Sequence, residues 1–158
     1  METKSALKTV VLFLAVYCLS LVIYRFASHR VMNSGGCGPR ALHAVSVKLG
    51  GALSEEETLN LFPHHGYDVT IDMLENRAPR LKLKAVVRQM NVEELKKESP
   101  LGVLHVDNSH FVAIVGYEGD SILIVDSIFQ GENESVRWMF DDLKSRWDGA
   151  ILVVSSEP

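Results

Sequence analysis

The sequence predicts an α+β domain in which N-terminal helices pack on an antiparallel sheet. Two features of the chain predict it. Between Cys37 and Ala78 the apolar residues recur at helical spacing, and the segments open on residues that cap helices. After Leu81 the apolar runs become short and rich in Val and Ile, and tight polar turns separate them. Helices first and strands afterwards argue against a doubly wound parallel sheet, which needs the two to alternate. A chain of 158 residues allows one modest domain.

The elements follow in order. Leu42, Val45 and Leu49 define the apolar face of a first helix, Cys37 to Leu49, which Gly50-Gly51 stops. Ser54-Glu55-Glu56-Glu57 is a capping box, so a second short helix runs to about Leu61, before Pro63. Thr70 caps a third helix from Ile71 to about Ala78, where Pro79 stops or kinks it. Leu83 to Arg88 reads as a strand and Val92 to Lys97 as a short helix. Gly102–Val106, His110–Tyr117 and Ser121–Val125 then read as three strands of a meander, joined at Asp107-Asn108 and Glu118-Gly119-Asp120. Phe140 to Trp147 reads as helical, and Ala150 to Val154 as the last strand.

The N-terminus has a different character. Thr9 to Tyr24 is sixteen residues without a charge, preceded by Lys4 and Lys8 and followed by Arg25 and Arg30. A membrane span needs ~20 apolar residues, with ~17 tolerated, and basic side chains at both ends can snorkel to extend it. Arg-Phe-Ala-Ser-His-Arg after Tyr24 is a poor signal-cleavage site, and bulky Tyr17 argues against a lipoprotein site at Cys18. The expected organisation is a membrane anchor and linker over residues 1–28 and a catalytic domain over 29–158. The protein is then single-pass, with its domain outside the cytoplasm.

Composition excludes several function classes. A net charge of −4, with no basic patch interleaved with aromatics, gives no case for a nucleic-acid partner. No GxxxxGK[ST] loop is present to hold a nucleotide, and no paired CxxC to hold zinc. His64-His65 has no carboxylate or cysteine at ligand spacing, so no metal and no cofactor is expected. Cys18 lies inside the apolar run and Cys37 outside it, so each is expected to be unpaired.

The chemistry centres on Ser34-Gly35-Gly36-Cys37-Gly38-Pro39-Arg40. Glycines flank the thiol at a helix start, and the proline falls where backbone N–H groups have no intrahelical partner. The positive end of the helix dipole favours an anionic sulfur. A thiol so placed is expected to be exposed and activated, near free N–H donors that suit an attack on a carbonyl. A thiol nucleophile also needs a base and a group to orient it. His110 opens a strand directly after a turn, and Asp126 ends the strand paired with it. Both lie eight residues from Glu118, so they are expected to face each other across the hairpin. With Cys37 on an abutting helix, this is a papain-like arrangement.

Gly36-Cys37-Gly38-Pro39, His110-Phe111-Val112-Ala113 and Val125-Asp126-Ser127 resemble the three blocks of the C39 (bacteriocin-processing, double-glycine) peptidase domains. Thr70 to Leu74 opening a helix, with a strand from Leu83 to Val87, fits as well, and the resemblance covers about Asn33 to Val154. It implies that Cys37 is the nucleophile, His110 the general base and acid, and Asp126 the orienting carboxylate. The family usually places a glutamine six residues before the cysteine, as an oxyanion donor. Val31 stands there in this chain, and Asn33 is the nearest amide side chain. Either Asn33 substitutes, or backbone N–H groups act alone. The residue just before the cysteine, usually acidic, is Gly36, and Asp126 is followed by Ser127 rather than proline.

The function expected from this reading is a membrane-anchored, stand-alone cysteine endopeptidase that cleaves peptide substrates, after a leader of Gly-Gly type. Any export transporter would be a separate partner. The alternative from another class is a catalytically weak peptide-binding module that docks leaders for a secretion system. The missing glutamine favours that alternative, and the intact Cys37, His110 and Asp126 oppose it.

Overall fold

The computed structural model describes residues 36–62, 69–107, 109–127 and 134–157. The predicted anchor, Cys18, Asn33 and His64-His65 lie outside the described residues. Among the described residues no helix is long and apolar enough to cross a membrane.

The order is α1 (Cys37–Lys48), α2 (Glu55–Asn60), α3 (Ile71–Arg77), a 3-10 turn (Ala78–Leu81), β1 (Leu83–Gln89), α4 (Val92–Glu98), β2 (Gly102–Val106), β3 (His110–Glu118), β4 (Ser121–Val125), β5 (Ser135–Met139), α5 (Phe140–Leu143) and β6 (Trp147–Ser156). The expected helix boundaries follow from their caps. Ser54 Oγ accepts from the Glu57 N–H while the Glu57 carboxylate accepts from the Ser54 N–H, so both halves of the box form. Thr70 Oγ1 accepts from the Met73 N–H. Gly50 stops α1 at φ +84°, a left-handed value that glycine takes without strain.

The strands form one six-stranded antiparallel sheet in the order β1-β6-β2-β3-β4-β5. β2 to β5 are the expected meander, lengthened by a strand. The last strand does not extend the meander but inserts between β1 and β2. Both faces of the central strands are buried. Val103, Phe111, Ala113, Leu152 and Val154 meet α1 and α3 on one side, in a core with Leu42, Val45 and Leu74. Leu104, Val112, Ile114, Ile122 and Ile151 form a second core with Leu95 of α4 and Phe140 and Leu143 of α5. The period of two along each strand sends alternate side chains to opposite layers.

The chain departs from expectation in its last third. Ser135–Met139 is a strand, not anticipated, whose alternation of exposed and half-buried residues spans only five positions. The helix expected over Phe140 to Trp147 is one turn long. Asp141 and Asp142 favour its start, but Trp147 joins β6. Pairing of Val106 with Trp147 extends that strand beyond the expected Ala150. A ladder partner on each side supplies backbone hydrogen bonds that a helix over the same residues would forgo.

Candidate active site

Cys37 is the first residue of α1, after Gly36 as N-cap, with no side chain capping the helix. Its backbone N–H is therefore among the first-turn donors without an intrahelical acceptor. The thiol is not exposed as expected: Cys37 is 5% accessible. The cause is the close approach of α1 to the sheet. A Cβ on Gly38 would lie 3.1 Å from Val69, 3.2 Å from the Phe111 ring and 3.3 Å from Leu74. Gly38 thus lets the helix start settle directly on β3, one residue from His110. The neighbouring α2 is fastened by Arg40 Nε donating to Glu55 Oε1 at 2.7 Å. His43 faces away from the thiol, with Nδ1 3.3 Å from Thr58 Oγ1, and burial lowers its pKa despite the Glu55 charge.

His110 opens β3, paired with Val106 of β2. Asp126 follows the last residue of β4. The two side chains meet as expected: His110 Nε2 donates to Asp126 Oδ1 over 3.0 Å. Both are inside the protein, at 13% and 6% side-chain exposure. The register that brings them together differs from a symmetric hairpin about Glu118. The turn is Gly119-Asp120, with Glu118 opposite Ser121, and the ladder shifts between Ile114 and Gly116. Ala113 then pairs with Val125, which sets Asp126 beside Val112 and one diagonal step from His110. Such diagonal neighbours share a face and lie within reach of long side chains.

Cys37 also lies near enough to act on the imidazole and raise its pKa. Burial pushes His110 towards the neutral form. The hydrogen bond to Asp126 and the nearby Cys37, together with their charges, outweigh it and raise its pKa from 6.5 to about 9. The ring is therefore an imidazolium at neutral pH, next to a sulfur at a helix N-terminus. That arrangement can stabilise a thiolate and hold a proton ready for a leaving group.

Residues 25–158 match the model of the Peptidase C39 family. The chain belongs to the peptidase C39 family. Solved C39 domains share its fold. A double-glycine-motif protease from an AMS/PCAT transporter, solved in complex with the leader peptide, superposes with a TM-score of 0.67 at 20% identity, over 79% of this chain and 87% of that one. The peptidase domain of Streptococcus ComA, a bifunctional ABC transporter of a quorum-sensing pathway, gives 0.63 at 16% identity, over 76% and 90%. The N-terminal C39-like domain of a toxin-secretion ATP-binding protein from Vibrio parahaemolyticus gives 0.62 at 16% identity, over 76% and 96%. No curated protein matches the chain.

Membership accords with the placement of the three predicted residues around one point at the end of the sheet. Two neighbours of this candidate site were not read from the sequence as part of it. Phe111 supplies the surface on which Gly38 rests. Arg146 reaches Asp107, in the turn before His110. Arg146 was hidden because Phe140 to Trp147 reads as one helix. Asp107 gave a signal only as a turn residue.

Proposed function

We propose that this C39-family protein is a membrane-anchored cysteine endopeptidase that cuts a peptide substrate after a leader of Gly-Gly type. The observation that carries the reading is the 3.0 Å bond between buried His110 and Asp126, with Cys37 close enough to raise the pKa of the same imidazole. The Cys37 thiolate attacks the scissile carbonyl carbon, and a tetrahedral oxyanion forms. His110 gives its proton to the leaving amine as the C–N bond breaks, leaving a thioester on Cys37. The neutral imidazole then takes a proton from water. The resulting hydroxide attacks the thioester, the acid product leaves, and thiolate and imidazolium are restored. Asp126 keeps the ring oriented and stabilises its charge. The free N–H groups of the first turn of α1 supply one side of an oxyanion site, and Asn33 is the candidate for the other. The N-terminal apolar run would hold the domain at the outer face of a membrane, beside the transporter that delivers the peptide to be cleaved.

Leader peptides as substrate are supported by the related protease bound to one. The test is mass spectrometry of double-glycine leader peptides incubated with the protein and with Cys37→Ala. Cleavage after Gly-Gly by the first only is expected. Binding of leaders without cleavage by either would favour the binding-module reading, for which Val31 at the usual glutamine position is the supporting observation. Cleavage elsewhere, or of non-peptide amides alone, would reject the substrate class.

A further inference from the structure

The turn that leads into β3 is clamped from outside the sheet. Arg146 Nε lies 3.1 and 3.2 Å from the two carboxylate oxygens of Asp107, and Nη2 lies 2.5 Å from Oδ2. The backbone closes the same junction, with the Asp107 N–H donating to the Arg146 carbonyl at 2.8 Å. Asp107 itself takes φ +51°, a left-handed conformation that aspartate adopts more readily than most residues. The guanidinium carbon sits 4.0 Å from the centroid of the Trp138 ring. Trp138 pairs with Ile122 of β4, the strand that ends at Asp126. One side chain thus grips the turn before His110 and rests on the strand beside the one that carries Asp126.

These side chains are 37% and 44% exposed. Surface ion pairs of that exposure contribute little to stability, and fork geometry on a carboxylate is the exception that fixes position. The fork also lies in the field of the site. The Arg146 guanidinium feels Asp107 first, then Asp126 and Asp142, and Asp107 feels His110 after Arg146. Among the described residues, the charged and titratable groups around His110 are Cys37 of α1, Asp126 after β4, Asp107 in its own turn and Arg146 behind that turn. Farther along β2, His105 rests on the Phe111 ring and lies 3.6 Å from Asp148 of β6.

We propose that the Asp107–Arg146 fork is a positioning device for His110. It fixes the turn from which β3 starts, and so aims the imidazole at Asp126 and Cys37 together. The proposal rests on Cys37, His110 and Asp126 being the reacting group. Lysine at position 146 would keep the charge but lose the two-pronged grip.

The test uses the full chain in detergent and needs no substrate. Iodoacetamide alkylation of Cys37 is followed by peptide mapping between pH 4 and 10, which separates Cys37 from Cys18. The midpoint reports the thiol–imidazole pair as a unit. Asp107→Asn and Arg146→Gln should both raise the midpoint and slow alkylation at pH 7 by roughly 10-fold, because a misaimed ring stabilises the thiolate less. Arg146→Lys should recover only part of that loss. The double variant should be no worse than either single, since both remove one device. A purely electrostatic pair predicts the opposite sign for Asp107→Asn: removing a negative charge would lower the midpoint. That result overturns the proposal, as do additive losses or unchanged profiles in variants whose circular dichroism is native. If Cys37 of the unmodified protein is alkylated at pH 7 no faster than Cys18, the reading of the site fails first, and the proposal falls with it.

Discussion

Asp126→Asn replaces a carboxylate oxygen by an amide nitrogen and leaves the volume of the side chain almost unchanged. An asparagine oxygen can still accept from His110 Nε2 at 3.0 Å, so the perturbation removes charge more than contact. Burial alone pushes His110 towards neutrality, and Asp126 heads the influences that oppose it. In the variant the ring should titrate well below the parent's value of about 9. A pKa of about 9 in the folded protein against ~6.5 unfolded corresponds to roughly 3 kcal/mol. The folded value is the raised one. Its stabilisation is therefore fully present below pH ~6.5 and is lost as pH climbs through about 9. Cys37 supplies part of the rise, so the share of Asp126 is about 2 kcal/mol, in the range of a hydrogen bond to a charged group. Urea unfolding of a chain starting at residue 29 should show the variant about 2 kcal/mol less stable at pH 6 and nearly equal to the parent at pH 10. Turnover at pH 7 should fall by ~10²–10⁴-fold, because the ring loses its orientation and much of the charge that stabilises the imidazolium. A stability gap that stays constant from pH 6 to pH 10 would refute the reasoning. So would a variant that cleaves as fast as the parent.

Gly38→Ala should destabilise the fold by ~1–3 kcal/mol and depress activity, since its methyl group would press on Val69, Phe111 and Leu74 at 3.1–3.3 Å; unchanged urea midpoints would show that α1 can shift freely. Asn33→Ala should lower kcat by ~10²-fold with little change in KM if that amide meets the oxyanion. A silent Asn33→Ala, with Val31→Gln raising kcat, would assign that role to backbone N–H groups instead. The full-length protein should stay in the membrane fraction after a carbonate wash with Met1 intact, and a mature N-terminus between residues 25 and 33 would overturn the anchor.

Much of the site is legible because local rules place it. Cys37 announces itself by the glycines and proline around a helix start, and the helix forms there for reasons contained in its own residues. His110 and Asp126 are found by counting along a hairpin. The count is off by two residues at the site, because it centres on Glu118, so that Asp126 faces Val112 rather than His110. It succeeds because a diagonal neighbour still shares the face. Ser135–Met139 and the true reach of β6 are illegible for a different reason. Each is a short or mixed segment whose backbone partners are far away in sequence.

By itself, then, the sequence determined the α+β class, the helix caps, the meander and the three residues of the candidate site. These depend on neighbours within a turn or a hairpin, where spacing and residue type decide. Tertiary structure decided what depends on surfaces meeting. It buried Cys37 by letting Gly38 close on Phe111, and raised His110 to about 9 through groups on two other elements. It also inserted β6 between β1 and β2, and carried Arg146 to Asp107 across 39 positions of chain. Contacts of that kind form only when distant segments have already packed, and no local pattern records which ones will.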